Sequence, residues 1–392
     1  MEKIFDIVIV GGSIIGSSIA IKLHQAGFLI KLIEMKTPCR FINNQIPDFK
    51  VLALNNTSIQ FLREINVWQK IEKKFYTKFK YIETWKDPFF PIYFCSEILN
   101  KSKLGVIIEN YRLYQELLNV ISSKKINAQY NTYLKNICYL PSENLWKIHY
   151  DNEKTIFSRM IIGSDGQNSW IRKKSGIPYL SFQYNQACML IIVKLKVNNK
   201  DTVWQSLDPT GPKALLPLYE NWALLIWYDN PNYLYELQKM PNQKIEKKII
   251  ENFPKKLGPI HLYKHKVVPL KFLYGYQYVQ QGLALVGDAL HTIHPLAGQG
   301  ANLGFRDIKI LSDLLISVKS EKYTWNHISI LKKYEKKCRL YNTIMQFGID
   351  TFRLLFSHDS ILTENICNPI FNVAESSKIL KKILIKYASG IF

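Results

Sequence analysis

The sequence predicts an α/β protein in which a parallel-sheet domain is interrupted by an inserted antiparallel sheet and followed by helices. Three observations predict it. First, Ile4 to Val10 is an apolar, mostly β-branched run broken only by Asp6 and followed at once by glycines; Ser17 to Ala26 then carries apolar residues at helical spacing, and a second apolar run, Leu29 to Ile33, ends in Glu34. Strand, glycine turn, helix and strand make a βαβ unit, which implies a parallel sheet covered by helices. Second, β-rich runs recur at Ala187 to Val197, Thr202 to Leu207, Ala214 to Tyr219 and Trp222 to Trp227, separated by turn signals such as Asp208-Pro209-Thr210-Gly211-Pro212. That is an antiparallel insertion. Third, Leu283 to Val286 reads as a further buried parallel strand and Gln299 to Val318 as a helix, so the first domain closes only after the insertion. The expected boundaries are 1–75, 101–178 and 277–350 for the parallel-sheet domain, 76–100 and 179–276 for the inserted domain, and 351–392 for a helical tail. The sequence shows neither an internal repeat nor a low-complexity linker.

At 392 residues, 47% of them apolar, the chain can bury a large core in two closely joined domains. A net charge of +21 raises the question of nucleic acid, but the lysines are scattered beside Ile, Asn and Tyr along the whole chain, which is the pattern of a solvated surface. Nucleic acid is therefore not an expected partner, whereas an anionic membrane surface stays open. The six cysteines include no CxxC pair, so neither a metal site nor a disulfide framework is expected and a cytoplasmic setting is. The N-terminus lacks the basic flank and cleavage site of a signal peptide, and no apolar run reaches the roughly 18 residues of a membrane span. The expectation is a soluble protein, or one peripheral at the inner face of a membrane.

Gly11-Gly12-Ser13-Ile14-Ile15-Gly16 occupies the G-x-G-x-x-G position, with serine at the second motif glycine. Gly11 permits the tight turn, position 13 faces a pyrophosphate, and Gly16 lets the helix pack closely on the strand while the helix N-terminus attracts phosphate. Glu34 then ends the next strand, where a carboxylate can accept hydrogen bonds from adenosine ribose hydroxyls. NAD and FAD share this fingerprint, and two later segments discriminate between them. Leu285-Val286-Gly287-Asp288-Ala289 ends a strand with a carboxylate beside the dinucleotide crevice. From His291-Thr292-Ile293-His294-Pro295 the chain runs through Gly298-Gln299-Gly300-Ala301-Asn302, a glycine-rich loop entering a helix whose N-terminus could stabilise negative charge on a reduced flavin.

With Gly163-Ser164-Asp165-Gly166, followed by Ser169 and Arg172, these segments resemble the motifs of the FAD-dependent aromatic hydroxylases, in that family's order. Tyr184-Asn185-Gln186-Ala187-Cys188-Met189-Leu190, Trp222 to Asp229 and Val286 to Asp307 resemble the demethoxyubiquinol hydroxylase branch, and the likeness covers nearly the full length. The resemblance implies that Asp288 binds the ribityl chain of FAD and that Gly11, Gly12, Ser13, Gly16, Glu34, Lys50, Asn110, Asp165, Gly287 and the segment Gly298 to Asn302 also contact the cofactor. Lys50 stands where the family commonly has an arginine; it keeps the charge and loses the guanidinium fork. Also implied are a reduced nicotinamide nucleotide or another reductant, molecular oxygen, and a flavin hydroperoxide that hydroxylates the benzoquinol ring of a polyprenyl demethoxyubiquinol-type substrate. The implied partners are this lipophilic quinol and either a membrane surface, met peripherally, or other proteins of ubiquinone biosynthesis.

The flavin does the chemistry in such a scheme, so no nucleophile is required and none is evident. His291, His294 and Pro295 sit beside the expected flavin, where the histidines could shape the loop or transfer a proton. The other six histidines lack a motif context. Trp204, Trp222, Trp227 and Tyr228 could fill core or line a ring pocket. The tail from Lys378 to Tyr387 combines basic and apolar positions in a way that suits a membrane-surface helix or an ordinary packed one. Three alternatives stay open: a related hydroxylase acting at another ring position or on a soluble phenol, a non-catalytic structural member of a biosynthetic complex, and an NAD-dependent dehydrogenase.

Overall fold

Strand β1 (Ile4–Val10) lies between two parallel neighbours, which is why its apolar run shows no clean alternation. It belongs to a computed structural model that describes residues 3–38, 46–86, 91–151, 154–196, 201–295, 298–321 and 324–356, together with Lys382. Asp6 is accommodated because its carboxylate accepts from the Leu29 N–H at 2.9 Å, closing the turn that follows helix α1 (Ile14–Gln25). Strand β2 (Ile30–Ile33) then pairs with β1 in parallel, as the βαβ pattern predicts.

The chain continues through β3 (Val51–Asn55), α2 (Asn56–Glu64), β4 (Tyr76–Phe79), β5 (Tyr81–Trp85), β6 (Ile92–Cys95), β7 (Gly105–Glu109) and α3 (Asn110–Ser123). After these come β8 (Asn127–Gln129), β9 (Leu134–Leu140), β10 (Leu145–Tyr150), β11 (Lys154–Gly163) and α4 (Trp170–Lys174). Strands β3, β7 and β4 form a small antiparallel sheet of their own. On the other side of β1 lies β11, parallel to it from Ile4↔Phe157 to Val10↔Gly163, so the glycine turn and the Gly163-Ser164-Asp165 segment emerge side by side.

The second sheet is built from β12 (Tyr179–Leu195), β13 (Thr202–Ser206), β14 (Lys213–Pro217) and β15 (Trp222–Asp229). Helices α5 (Pro231–Gln238) and α6 (Asn242–Asn252) cover its outer face before the long strand β16 (Ile260–Gly275) returns to pair with β12. Next, β17 (Val279–Gln280) and β18 (Leu283–Leu285) rejoin the first sheet, where β18 runs parallel to β11. Strand β19 (His291–Thr292) then pairs with β16, and helices α7 (Gly300–Ser320) and α8 (Ile328–Phe356) follow. The roof sheet has the order β19-β16-β12-β15-β14-β13-β5-β6 and the first sheet β17-β18-β11-β1-β2-β8. The sequence runs thus form a larger sheet than they announce, because β5, β6, β16 and β19 join from far along the chain. The proposed tail helix from Lys378 to Tyr387 lies outside the described residues apart from Lys382, as do Leu296 and Ala297.

Alternation along the roof strands sorts their side chains between two cores. Ala223, Leu225 and Trp227 pack with Trp204 against α5 and α6, whereas Trp222, Leu224 and Tyr228 point to the opposite face, toward the first domain. Of the four aromatics singled out above, Trp204 and Trp227 are outer core and only Tyr228 reaches the loop that follows β19.

Candidate functional site

The glycine turn after β1 needs its glycines. Gly11 has φ +98°, and a Cβ there would stand 2.4 Å from the Ser164 carbonyl oxygen. At Gly16 a Cβ would stand 1.8 Å from the Gly11 carbonyl oxygen, so α1 approaches β1 only because that atom is missing. Glu34 braces the turn: one carboxylate oxygen accepts from the Gly12 N–H at 2.6 Å and the other from the Lys36 N–H at 2.9 Å. Ser13 is the N-cap of α1, exposed, with its hydroxyl making no capping bond. The orphan N–H groups of the first helical turn therefore face the crevice beside a free hydroxyl.

The Gly287-Asp288 turn follows β18, and it is held from both sides. Gly287 has φ +59° and donates its N–H to the Asp307 carboxylate of α7 at 3.0 Å. From the other side, Arg172 of α4 donates to the Ala289 carbonyl at 2.6 Å. Asp165 positions α4, accepting from the Ser169 hydroxyl at 2.5 Å and from the Trp170 and Ile171 N–H groups at 2.7 and 3.0 Å. Two segments more than a hundred residues apart in the sequence are thus one hydrogen-bonded unit. Asp288 itself is exposed in the crevice although protein surrounds it closely; the resulting desolvation raises its carboxyl above the ordinary range, His291 opposing and Asp307 adding to the shift.

His291 is buried, and its Nε2 lies 2.6 Å from the same Asp307 oxygen, while the Asn342 amide donates to the other oxygen at 3.0 Å. Burial pulls the imidazole pKa down, but the charge and hydrogen bond of Asp307, joined by Asp288, outweigh it and leave the pKa above its ordinary value. His291 therefore sits as a brace behind the turn.

At the start of α7, Asn302 accepts from the Asn55 N–H at 3.0 Å and the Ser58 hydroxyl at 2.8 Å and donates to the Ala53 carbonyl at 2.8 Å. Its amide fixes the helix end against β3 and α2. Gly298 has φ +60°, and a Cβ at Gly300 would meet nothing within 4 Å. A Cβ at Gly287 would meet Ile15 of α1 at 3.5 Å and Gly304 of α7 at 3.8 Å, so the uncapped start of α1, the exposed Asp288 turn and the start of α7 lie together, an arrangement that fits a dinucleotide. Lys50 is exposed, and its carbonyl accepts from the Asn110 N–H at 2.8 Å, so these two expected contacts stand together.

His294 leads from this crevice to the roof. Its Nε2 lies 3.0 Å from Gln186 Oε1, and its ring centroid is 5.1 Å from that of Tyr184 and 5.2 Å from that of Tyr228. Gln186 donates its amide N–H to the Thr210 carbonyl at 3.3 Å, which orients Oε1 toward His294 and places a proton on the imidazole Nε2. Pro295 is exposed next to it. Among the described residues, no cluster of His, Cys, Asp and Glu could hold a metal ion, and no helix is long and apolar enough to cross a membrane.

Sequence reasoning left Asp307, Asn342 and Gln186 without roles. Asp307 had a signal: it stands among Leu303, Ile308 and Leu311 on the buried stripe of α7, where an ionisable group needs a partner. Asn342 and Gln186 are ordinary polar residues until tertiary contact gives them partners.

Comparison with known proteins bears on this geometry. The chain matches the FAD binding domain family over residues 5–346. It is 35% identical to the 3-demethoxyubiquinol 3-hydroxylase of Escherichia coli (strain K12), over 98% of each chain. It is 27% identical to the mitochondrial ubiquinone biosynthesis monooxygenase COQ6 of Dictyostelium discoideum, over 99% of this chain and 92% of the relative. Among solved structures, the p-nitrophenol 4-monooxygenase PnpA of Pseudomonas putida DLL-E4 superposes with a TM-score of 0.80 at 15% identity, covering 99% of both chains, which is a likeness of fold. The chain belongs to the family of FAD-dependent monooxygenases built on this FAD-binding domain.

Proposed function

We propose that the protein hydroxylates the benzoquinol ring of a polyprenyl demethoxyubiquinol-type intermediate in ubiquinone biosynthesis. The observation that carries this reading is the 35% identity, end to end, with the enzyme of that name. FAD, once reduced by a nicotinamide nucleotide or another reductant, supplies the oxygen-activating chemistry. In this reading Glu34 binds the adenosine ribose and Asp288 the ribityl chain. Gly11, Gly12, Ser13 and Gly16 receive the pyrophosphate, with Lys50, Asn110 and Asp165 around the crevice. Gly298 to Asn302 face the pyrimidine end of the flavin, where the N-terminus of α7 favours negative charge.

The protein's own contribution is to hold the ring and exclude water. Tyr184, Tyr228, Leu270 and Phe272 form one buried apolar cluster of the roof, and His294 packs against its two tyrosines. An aromatic substrate placed there meets ring faces, with His294 tied through Nε2 to Gln186 beside them, while the dry surroundings protect the reactive oxygen from loss to water. Pro295 borders the same space. The test is to identify the quinone intermediate that accumulates in cells lacking this protein. A demethoxyubiquinone supports the proposal; an intermediate missing a different ring oxygen assigns the enzyme to another position.

A further inference from the structure

Helix α8 carries an exposed stripe that changes character along its length. Lys332, Lys333, Lys336 and Lys337 are exposed in its first half, and Leu340, Ile344 and Phe347 follow at 69, 48 and 58% exposure, spaced i, i+4, i+7. The helix does not need this stripe for packing, because Leu331, Tyr334, Cys338, Tyr341, Met345 and Ile349 bury its other side.

The roof sheet extends the apolar half. Arg339 donates to the Tyr276 carbonyl at 2.7 Å, and Tyr274 lies beside Phe347 at 6.3 Å between ring centroids. Leu180 is the cross-strand partner of Tyr274, and Phe182 that of Phe272. Leu180, Phe182 and Tyr276 are themselves 45, 46 and 51% exposed. A contiguous apolar surface of this kind marks an interaction site rather than ordinary exposure.

Two features say what covers it. The patch is flanked by four exposed lysines on the same helix, and an apolar face with a cationic flank is what an anionic lipid surface accepts. The patch also runs inward as a lane of rings: Phe182 lies 5.3 Å from Tyr184, which lies 5.1 Å from His294 and bonds through its hydroxyl to Asp350 of α8 at 2.7 Å. We propose that the α8 stripe, with Leu180, Phe182 and Tyr276, docks on an anionic bilayer and that the ring lane admits a lipophilic quinol from it to His294. The lane rests on the substrate reading above; the docking surface does not.

The test is flotation of the full-length, FAD-loaded protein with vesicles containing phosphatidylglycerol or phosphatidylcholine alone, at low and high salt. Flotation is expected with the anionic vesicles at low salt and release at high salt. Binding should fall at least tenfold in Leu340→Ser/Ile344→Ser/Phe347→Ser and in Lys333→Glu/Lys336→Glu/Lys337→Glu. Both variants alter exposed side chains and should keep turnover of a short-tailed quinol in solution while losing turnover of a long-tailed quinol in vesicles. Wild-type protein that stays soluble at low salt overturns the docking. So does flotation that survives in both variants and is lost only in Lys381→Glu/Lys382→Glu, or a triple serine variant that merely changes from dimer to monomer. Docking that behaves as expected, with no turnover of any quinol, upholds the surface and sinks the substrate reading instead.

Discussion

The Asp307 carboxylate takes the His291 imidazole at 2.6 Å and the Gly287 N–H at 3.0 Å on one oxygen, so a single buried charge ties the Gly-Asp turn to α7. Replacing His291 with Ala leaves that charge buried with fewer donors, and the expected loss of stability is about 3–5 kcal/mol. The pH dependence has a definite sign. The native His291 pKa is raised, so its contribution is fully present below the unfolded value of about 6.5 and is lost as pH rises through the raised native value. Denaturant unfolding of wild type and His291→Gln should therefore differ more at pH 6 than at pH 9. An equal difference at both values removes the charged pair from the account.

Two glycines separate fold from cofactor. Gly16→Ala places a Cβ against the Gly11 carbonyl and forces α1 off β1, with an expected loss beyond about 3 kcal/mol and no retained FAD. Gly300→Ala has open space and should leave thermal unfolding of apoprotein within about 0.5 kcal/mol of wild type. Its FAD affinity should nevertheless fall, because the proposed function gives that open space to the cofactor. Unchanged affinity by calorimetric titration of the apoprotein assigns that space to solvent.

Asp288 and Ser13 both reach the crevice without a structural duty comparable to that of Glu34 or Asn302. Asp288→Ala should weaken FAD by about tenfold or more, the equivalent of one charged hydrogen bond at about 1.5–3 kcal/mol. Ser13→Gly should tighten FAD, because close backbone approach is the reason for glycine at that motif position. Weaker binding in Ser13→Gly would instead mean that the exposed hydroxyl donates to phosphate.

How much of this was legible depended on how local each signal was. Ile4–Val10, the glycine turn and Glu34 lie within one βαβ unit, and the structure places strand and turn as the pattern implies; that Glu34 also braces the turn through the Gly12 N–H was not in the pattern. The pairing of β12 with β16 was not legible, because the residues that meet, such as Ile191 and His265, are joined by a long excursion through three strands and two helices. Likewise Arg172 gains its meaning only from Ala289, and Asp307 from His291 and Asn342. The period-2 alternation at Trp222 to Tyr228 was on the page, but which parity faces the flavin domain is decided by α5 and α6 covering the other side.

That parity yields the last prediction. Trp227 is fully buried with Trp204 and Phe253 on the outer face, whereas Tyr228, one residue on, packs against His294 on the inner one. Trp227→Ala removes a large core side chain and should cost about 3–5 kcal/mol, while the folded fraction keeps wild-type kcat/KM. His294→Phe keeps a ring between Tyr184 and Tyr228 but loses the Nε2 proton that Gln186 holds, so stability should change by less than about 1.5 kcal/mol. Turnover should nonetheless fall by tenfold or more, and peroxide should be released in place of hydroxylated product, because the loop carrying position 294 is no longer bonded to Gln186 of the roof and positions the substrate ring less closely. Measuring product and peroxide against reductant consumed checks this directly. A His294→Phe enzyme that remains fully coupled would show that the imidazole serves only to pack the roof onto the loop.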